Sequence, residues 1–294
     1  YIDNMLGEFG MNESEAENAT DSIERLLRDI CGSTLTKEQL YDPSLTYNVF
    51  TVNELQQLYS NVDVNKMLKT LRVDGQDKYI VMDVEQAKKI NSLLVEENLQ
   101  ALKDYSTFVM LNDVAEYGNE TYVKLHDDMQ NALYGITESW GNEKIWMNLT
   151  QDLLPWDFGT IYVEEHFSQA DKEDVEQMIA QILKEYEVII QRQDWMSEAT
   201  KQKAIRKLET MQVKIGYPDQ WPKAKDMMQV TPISEGGSLL SNVLVSMNVA
   251  IEDSLSQLGK PVDRSEWDVT PQTINAMYDP LNNEIIFPAA ILQA

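Results

Sequence analysis

Ile215-Gly216-Tyr217-Pro218-Asp219 divides this chain of 294 residues into two parts of different pattern. Glycine loosens the backbone and proline removes an N–H, so a helix arriving here stops. Upstream, apolar residues recur at spacings of three and four nearly throughout, which is the signature of amphipathic helices. Downstream, no clear period survives from Gln220 to Gly237, then one more helix gives way to strand-like runs. The expected fold is therefore mainly α: a large multi-helix domain over residues 1–218, then the beginning of an α+β domain over 219–294.

Several helices carry their own start signals. Ser14-Glu15-Ala16-Glu17 has the capping-box form, and Ala16, Ala19, Ile23, Leu26, Leu27 and Ile30 follow on one face as far as Gly32. Asp83-Val84-Glu85-Gln86 repeats the form before Ala87, Ile90, Leu93, Leu94, Leu102, Tyr105 and Val109, a pattern that fits one long helix or two in series. A stripe of Val175, Met178, Ile179, Ile182, Leu183, Tyr186 and Ile190 predicts a helix from about Lys172 to Gln193, and another runs from Ser197 to about Met211. Beyond the break, Leu240, Val243, Leu244, Met247, Ile251, Leu255 and Leu258 form an inward stripe, with Gly259 as the stop before Pro261.

Strand signals are fewer. Thr273-Ile274-Asn275-Ala276-Met277-Tyr278 and Glu284-Ile285-Ile286-Phe287 flank the turn cluster Asp279-Pro280-Leu281-Asn282-Asn283, which predicts a β-hairpin. Tyr79-Ile80-Val81-Met82 is a candidate for a further short strand.

Composition narrows the partners. A net charge of −25 repels phosphate backbones, and no stripe of Lys and Arg interleaved with aromatics offsets it, so nucleic acid is not an expected partner. The acidic residues are spread over helical faces, as in a solvated surface. No run approaches the roughly 18 apolar residues of a membrane span. The chain opens on Tyr1 inside an amphipathic segment, which suggests that the natural polypeptide continues upstream. Cys31 is the single cysteine, so an internal disulfide is excluded and a buried or idle thiol is expected.

Isolated chemistry gives no active site. The two histidines, His126 and His166, have Gln130 and Ala170 four residues on, so the helix-borne H-E-x-x-H zinc site is absent. His126, beside Asp127 and Asp128, reads as a solvated helix residue, and His166, in Tyr162-Val163-Glu164-Glu165-His166-Phe167, as a structural one. Gly236-Gly237-Ser238 lacks the lysine and spacing of a phosphate loop and reads as a helix-initiating turn. Trp140, Trp146, Trp156, Trp195, Trp221 and Trp267 are assigned to packing. No metal ligand and no catalytic residue is singled out.

Read as a whole, Asn275-Ala276-Met277-Tyr278 followed by Asn283-Glu284-Ile285-Ile286-Phe287-Pro288-Ala289-Ala290-Ile291-Leu292-Gln293 resembles the signature of the neprilysin and endothelin-converting-enzyme family. Ala132-Leu133-Tyr134-Gly135, Tyr162 to Phe167, Lys214 to Asp219, and Gly259-Lys260-Pro261-Val262-Asp263-Arg264-Ser265-Glu266-Trp267 match it in order, the last in the manner of its bacterial branch.

That resemblance implies a zinc metalloendopeptidase acting on oligopeptides, with a helical domain capping a thermolysin-like catalytic domain around a closed chamber. Residues 1–218 would be most of the helical domain. Residues 219–294 would open the catalytic domain and end before the H-E-x-x-H helix, so the zinc ligands lie outside this chain and the fragment alone is expected to be inactive. It also implies that Asn275 and Ala276 bind the substrate main chain beside the scissile bond. A single cysteine suits a bacterial member; the compartment stays open, with the cell envelope or secretion slightly favoured over the cytoplasm. The alternative is a non-catalytic helical peptide-binding or scaffold protein.

Overall fold

The computed structural model describes residues 1–136, 141–222 and 230–293; Trp140 lies outside the described residues. Among these, thirteen α-helices and five short strands make the chain mainly α. By packing, it forms two compact units, one of Tyr1–Ser139 with Val230–Lys260 and the other of Trp140–Gln229 with Pro261–Ala294. Ile215 to Asp219 lies inside the second.

The first unit begins with α1 (Ile2–Phe9) and α2 (Glu13–Cys31). The capping box of α2 sits two residues earlier than the sequence suggested. Asn12 Oδ1 accepts from the Glu15 amide and Glu15 Oε2 from the Asn12 amide, both at 3.0 Å. An asparagine whose backbone is already extended competes well with Ser14, the second residue of the helix. Leu6, Ala16, Ala19 and Ile23 form the core, against which Tyr105, Phe108 and Leu111 of a later helix pack. Cys31 is exposed rather than buried.

After α3 (Pro43–Thr46), strand β1 (Asn48–Phe50) leads into α4 (Val52–Leu58) and α5 (Val64–Thr70). Strand β2 (Tyr79–Val81) pairs antiparallel with β1, so the short apolar run at Tyr79 is a strand and its partner at Asn48 is one the periodicity did not mark. Leu55, Val64 and Leu68 make a second small core beneath them.

The pattern beginning at Asp83 resolves into two helices, α6 (Val84–Leu93) and α7 (Leu99–Val114). Asp83 caps α6 through the Gln86 amide at 2.8 Å, but the Gln86 side chain donates to Thr34 Oγ1 instead of returning to the cap. The α7 helix leads to α8 (Glu120–Tyr134), which ends on Gly135 in the left-handed region, φ 66°.

The second unit contains α9 (Asn142–Leu153), α10 (Pro155–His166), α11 (Gln169–Arg192) and α12 (Glu198–Glu209). The helix α13 (Leu239–Ser256) returns to the first unit; it starts at the expected helix-initiating turn, where Ser238 caps it, and ends at Ser256, short of the stop expected at Gly259. Its apolar stripe is broader than the face it buries: Val243 is enclosed, whereas Leu244, Met247 and Ile251 are exposed, as is Leu258 just beyond the helix. Likewise Met178, Ile182 and Tyr186 on α11 are exposed, as are Trp146 and Trp195, which therefore do not serve as core anchors. Trp221 does pack, stacked on Tyr217 at 5.9 Å and 14°.

A three-stranded sheet organises the second unit. Its strands are β3 (Gln212–Gly216), β4 (Met277–Asp279) and β5 (Glu284–Pro288), in the order β3-β5-β4. β3 runs parallel to β5, with Gln212 opposite Glu284 and Gly216 opposite Pro288, and β4 completes the expected hairpin with β5. β3 was not legible in the sequence: the helix before it ends at Glu209, and the glycine at 216 closes a strand instead of a helix.

Two constraints hold this sheet. Gly216 has φ 72°, and a Cβ there would lie 2.5 Å from the Phe167 ring, so only glycine lets the buried phenyl seat on the strand end. Lys214 and Glu284 form an ion pair at 2.7 Å with side chains 6% and 2% exposed. The same ammonium donates to the Glu266 carbonyl. Nearby, the buried Lys172 of α11 donates to the Tyr217 carbonyl at 2.9 Å and to Asp219 Oδ1 at 2.8 Å, with its nitrogen 4.5 Å from the Tyr217 ring centre.

Removing one member of a buried pair strands the other charge. Glu284→Leu is therefore expected to cost about 3–5 kcal/mol in urea unfolding, with Lys214→Met/Glu284→Leu recovering most of it and falling short only by the lost bond to the Glu266 carbonyl. Gly216→Ala forces an L-residue into the left-handed region, at about 1–2 kcal/mol, and also displaces Phe167. Its melting temperature should fall clearly below that of the unaltered chain, and an unchanged value would contradict the packing described.

Candidate functional site

The hairpin and the segment leading into it carry the residues singled out from sequence. Asp279 opposes Glu284, so four residues form the turn. Asp279 Oδ1 accepts from the Leu281 amide and Oδ2 from the Asn282 amide group, at 2.8 and 2.7 Å. Burial pushes the Asp279 carboxyl up, but these hydrogen bonds outweigh it and hold the carboxyl below its ordinary value. The turn is thus locked by an ionised aspartate near neutral pH.

Asn283 is the hub of this turn. It adopts φ 49°, a left-handed conformation that asparagine tolerates better than other residues with a Cβ. Its side-chain nitrogen donates to the Lys207 carbonyl at 2.8 Å and to Thr210 Oγ1 at 3.1 Å, while its Oδ1 accepts from the Tyr278 hydroxyl at 3.1 Å. The hairpin tip is thereby moored to the end of α12. From the other side, Arg264 donates to the Asn282 carbonyl at 2.6 Å and accepts through its own carbonyl from Gln212. An Asx turn in which Asp263 accepts from the Ser265 amide and hydroxyl shapes that loop, and the Ser265 hydroxyl holds the Asp263 carboxyl below its ordinary value.

Asn275 and Ala276 lie just ahead of β4. The expected strand Thr273 to Tyr278 contracts to Met277–Asp279, leaving the two residues exposed and outside the hydrogen-bonded ladder. Asn275 Oδ1 accepts from the Ala276 amide at 2.8 Å, and its side-chain nitrogen has no partner among the described residues. Ile274 is 71% exposed beside them. Asn275 does not close the hairpin; Asn283 and Asp279 do. Because β4 pairs only with β5, its other edge is unpaired among the described residues. An edge of this kind offers backbone donors and acceptors to another extended chain.

The histidines lie elsewhere. His166, 55% exposed on the last turn of α10, contacts the Tyr162 ring at 5.0 Å and lies 3.7 Å from Glu165. His126 on α8 is partly buried, contrary to the solvated position expected, with Nε2 3.2 Å from the Gln130 amide nitrogen and a buried Nδ1 that has no hydrogen-bond partner among the described residues and lies 3.8 Å from Asp127 Oδ1. The helix turns this ring inward while the Asp127 and Asp128 side chains stay exposed, which adjacency in sequence cannot reveal. Among the described residues, no three His, Cys, Asp or Glu side chains converge to hold a metal ion. A cleft of about 810 Å3 in the first unit, beside α2 and α7, is lined by Ser22, Arg25, Asp29, Glu97, Gln100 and the buried Asp104; the Ser22 hydroxyl donates to the Asn18 carbonyl and accepts from Arg25, so it is not held against a base.

Residues 1–218 match the sequence model of peptidase family M13. A neutral endopeptidase of Lactobacillus helveticus is 31% identical over 295 aligned residues, covering 99% of this chain and 44% of that protein. The crystal structure of PEPO from Lactobacillus rhamnosis superposes with a TM-score of 0.88 at 26% identity, over 99% of this chain and 46% of the other. The zinc metalloprotease ZMP1 of Mycobacterium tuberculosis, in complex with an inhibitor, superposes with a TM-score of 0.86 at 26% identity, over 99% of this chain and 44% of the other. The chain thus spans less than half the length of each of these proteins. In sequence and in fold alike, it belongs to peptidase family M13, the neprilysin-type zinc metallopeptidases.

Proposed function

We propose that the complete polypeptide is a zinc-dependent endopeptidase of oligopeptides, to which this chain contributes the helical, chamber-forming part and the strand that holds the substrate. Residues 1–218 are then the helical domain and 219–294 the opening of the catalytic domain. The observation that carries this reading is the unpaired edge of β4 with Asn275 and Ala276 exposed at its start. The names of the relatives point the same way, since they include neutral endopeptidases and a zinc metalloprotease.

The chemistry is divided. An extended peptide laid along the edge meets backbone groups at fixed spacing, which binds any sequence and leaves preference to side-chain pockets. A primary amide suits the first contact because it both donates and accepts. Asn275 has its oxygen turned to the Ala276 amide and its nitrogen free, so it is oriented by its own chain and able to donate to a substrate carbonyl. A zinc ion, when bound, would supply an activated water for attack on the peptide carbonyl. The described residues of this chain do not fit such a site, since His126 and His166 belong to no ligand cluster, and the ligands are assigned to the remainder of the polypeptide.

The test is kinetic. In the complete polypeptide, Asn275→Ala is expected to lower kcat/KM for an oligopeptide by roughly 10- to 100-fold, the loss of about 1.4–3 kcal/mol of transition-state binding, with zinc content unchanged. A complete polypeptide that binds peptides but neither retains zinc nor cleaves them would instead establish the non-catalytic binding protein.

A further inference from the structure

Asn275 and Ala276 sit outside the ladder, so their position depends on how the chain is held on either side. On one side stands the β4–β5 register. On the other is Thr270 to Thr273, a turn closed by the Thr273 amide on the Thr270 carbonyl at 3.0 Å, with the two hydroxyls 3.0 Å apart. Pro271 in that turn is fully buried, and its carbonyl accepts from the Ala290 amide at 2.9 Å, just beyond the end of β5.

Gln272 fixes the turn to a helix. Its side-chain nitrogen donates to the Pro155 carbonyl at 3.0 Å, in the first turn of α10. One turn further along α10 is Gly159, itself buried. A Cβ there would lie 2.9 Å from both Gln272 Oε1 and Pro271 Cδ. A glycine inside a helix sacrifices stability relative to alanine, and here its bare backbone is what admits the turn. Gln272 Oε1 is buried with no hydrogen-bond partner among the described residues, a cost accepted by a side chain whose place is set by its other end.

We propose that Gln272, seated against Gly159, is a positioning residue: it ties the lead-in segment Ile274 to Ala276 to helix α10 and so sets where Asn275 meets a substrate. This rests on the peptide-reading role given to Asn275 above. From Gln272 only Thr273 and Ile274 intervene before Asn275, so a shift at the anchor reaches the amide almost undiminished. A misplacement on the order of 1 Å can cost about a hundredfold in rate, far more than the loss of one neutral hydrogen bond would cost in stability.

The experiment compares Gln272→Ala, Gly159→Ala and Asn275→Ala in the complete polypeptide, reading oligopeptide kcat/KM, zinc content, melting temperature and amide hydrogen exchange over residues 273–279. Gln272→Ala is expected to lower kcat/KM by about tenfold or more, to speed exchange across 273–277, and to leave zinc content and melting temperature nearly unchanged. A merely structural glutamine would move the melting temperature and not the local exchange. Should Gly159→Ala fail to fold, Gln272→Ala decides alone. If Gln272→Ala leaves exchange and kcat/KM as they were while Asn275→Ala impairs turnover, the positioning role is overturned and the substrate reading stands. If Asn275→Ala is itself silent, both fall.

Discussion

The buried ion pair between Lys214 and Glu284 is the interaction on which the second unit depends. It joins β3 to β5, two strands about 70 residues apart in sequence, and through the Glu266 carbonyl it also holds the loop that carries Arg264. Two charges withdrawn from water need close geometry and further hydrogen bonds to break even. Here the geometry is supplied by parallel strands in fixed register, and the pair in turn leaves the hairpin little freedom to slide. A one-residue slip would carry Glu284 to the opposite face of the sheet and abandon the lysine. The pair therefore specifies register, and register places β4 at the edge.

Seen this way, the short motifs of the sequence that carry the family resemblance are the two halves of contacts. Phe167, the last residue of Tyr162 to Phe167, lies against Gly216 of Lys214 to Asp219, and the ring of Tyr217 packs edge-on to it at 6.2 Å. Arg264 and Glu266, from the run beginning at Gly259, grip the hairpin turn and the ion pair. Asn283 moors the tip to α12. Each motif is unusual because its partner lies far away in the chain, and together they hold in place an edge whose own segment has few bonds.

Much of the fold was legible because helices announce themselves locally. The stripe from Ala16 to Leu26, the cap at Ser238 and the turn at Asp279 to Asn283 follow from spacing and side-chain chemistry within a few residues. What escaped was non-local. β1 and β3 are three and five residues long and have no meaning without β2 and β5. Asn12 displaced Ser14 as a cap because two adequate residues competed and backbone conformation decided. The stripes on α11 and α13 exceed what their neighbours bury, a matter of packing that periodicity does not address. At the candidate site, Asn275 and Ala276 were found by resemblance to a family, not by chemistry. Gln272 and Gly159 could not be found at all, since nothing in either neighbourhood names the other; the faint signal was a glycine kept in the middle of a helix.

The most direct measurement is a structure of the complete polypeptide with an uncleavable oligopeptide analogue bound. If β4 is the substrate-reading edge, the analogue will lie extended beside Asn275 to Met277, with the Asn275 amide nitrogen within hydrogen-bond distance of a peptide carbonyl next to the scissile position. An analogue bound with its backbone remote from that edge, or with Asn275 still turned only toward its own chain, would contradict the assignment of this segment to substrate binding.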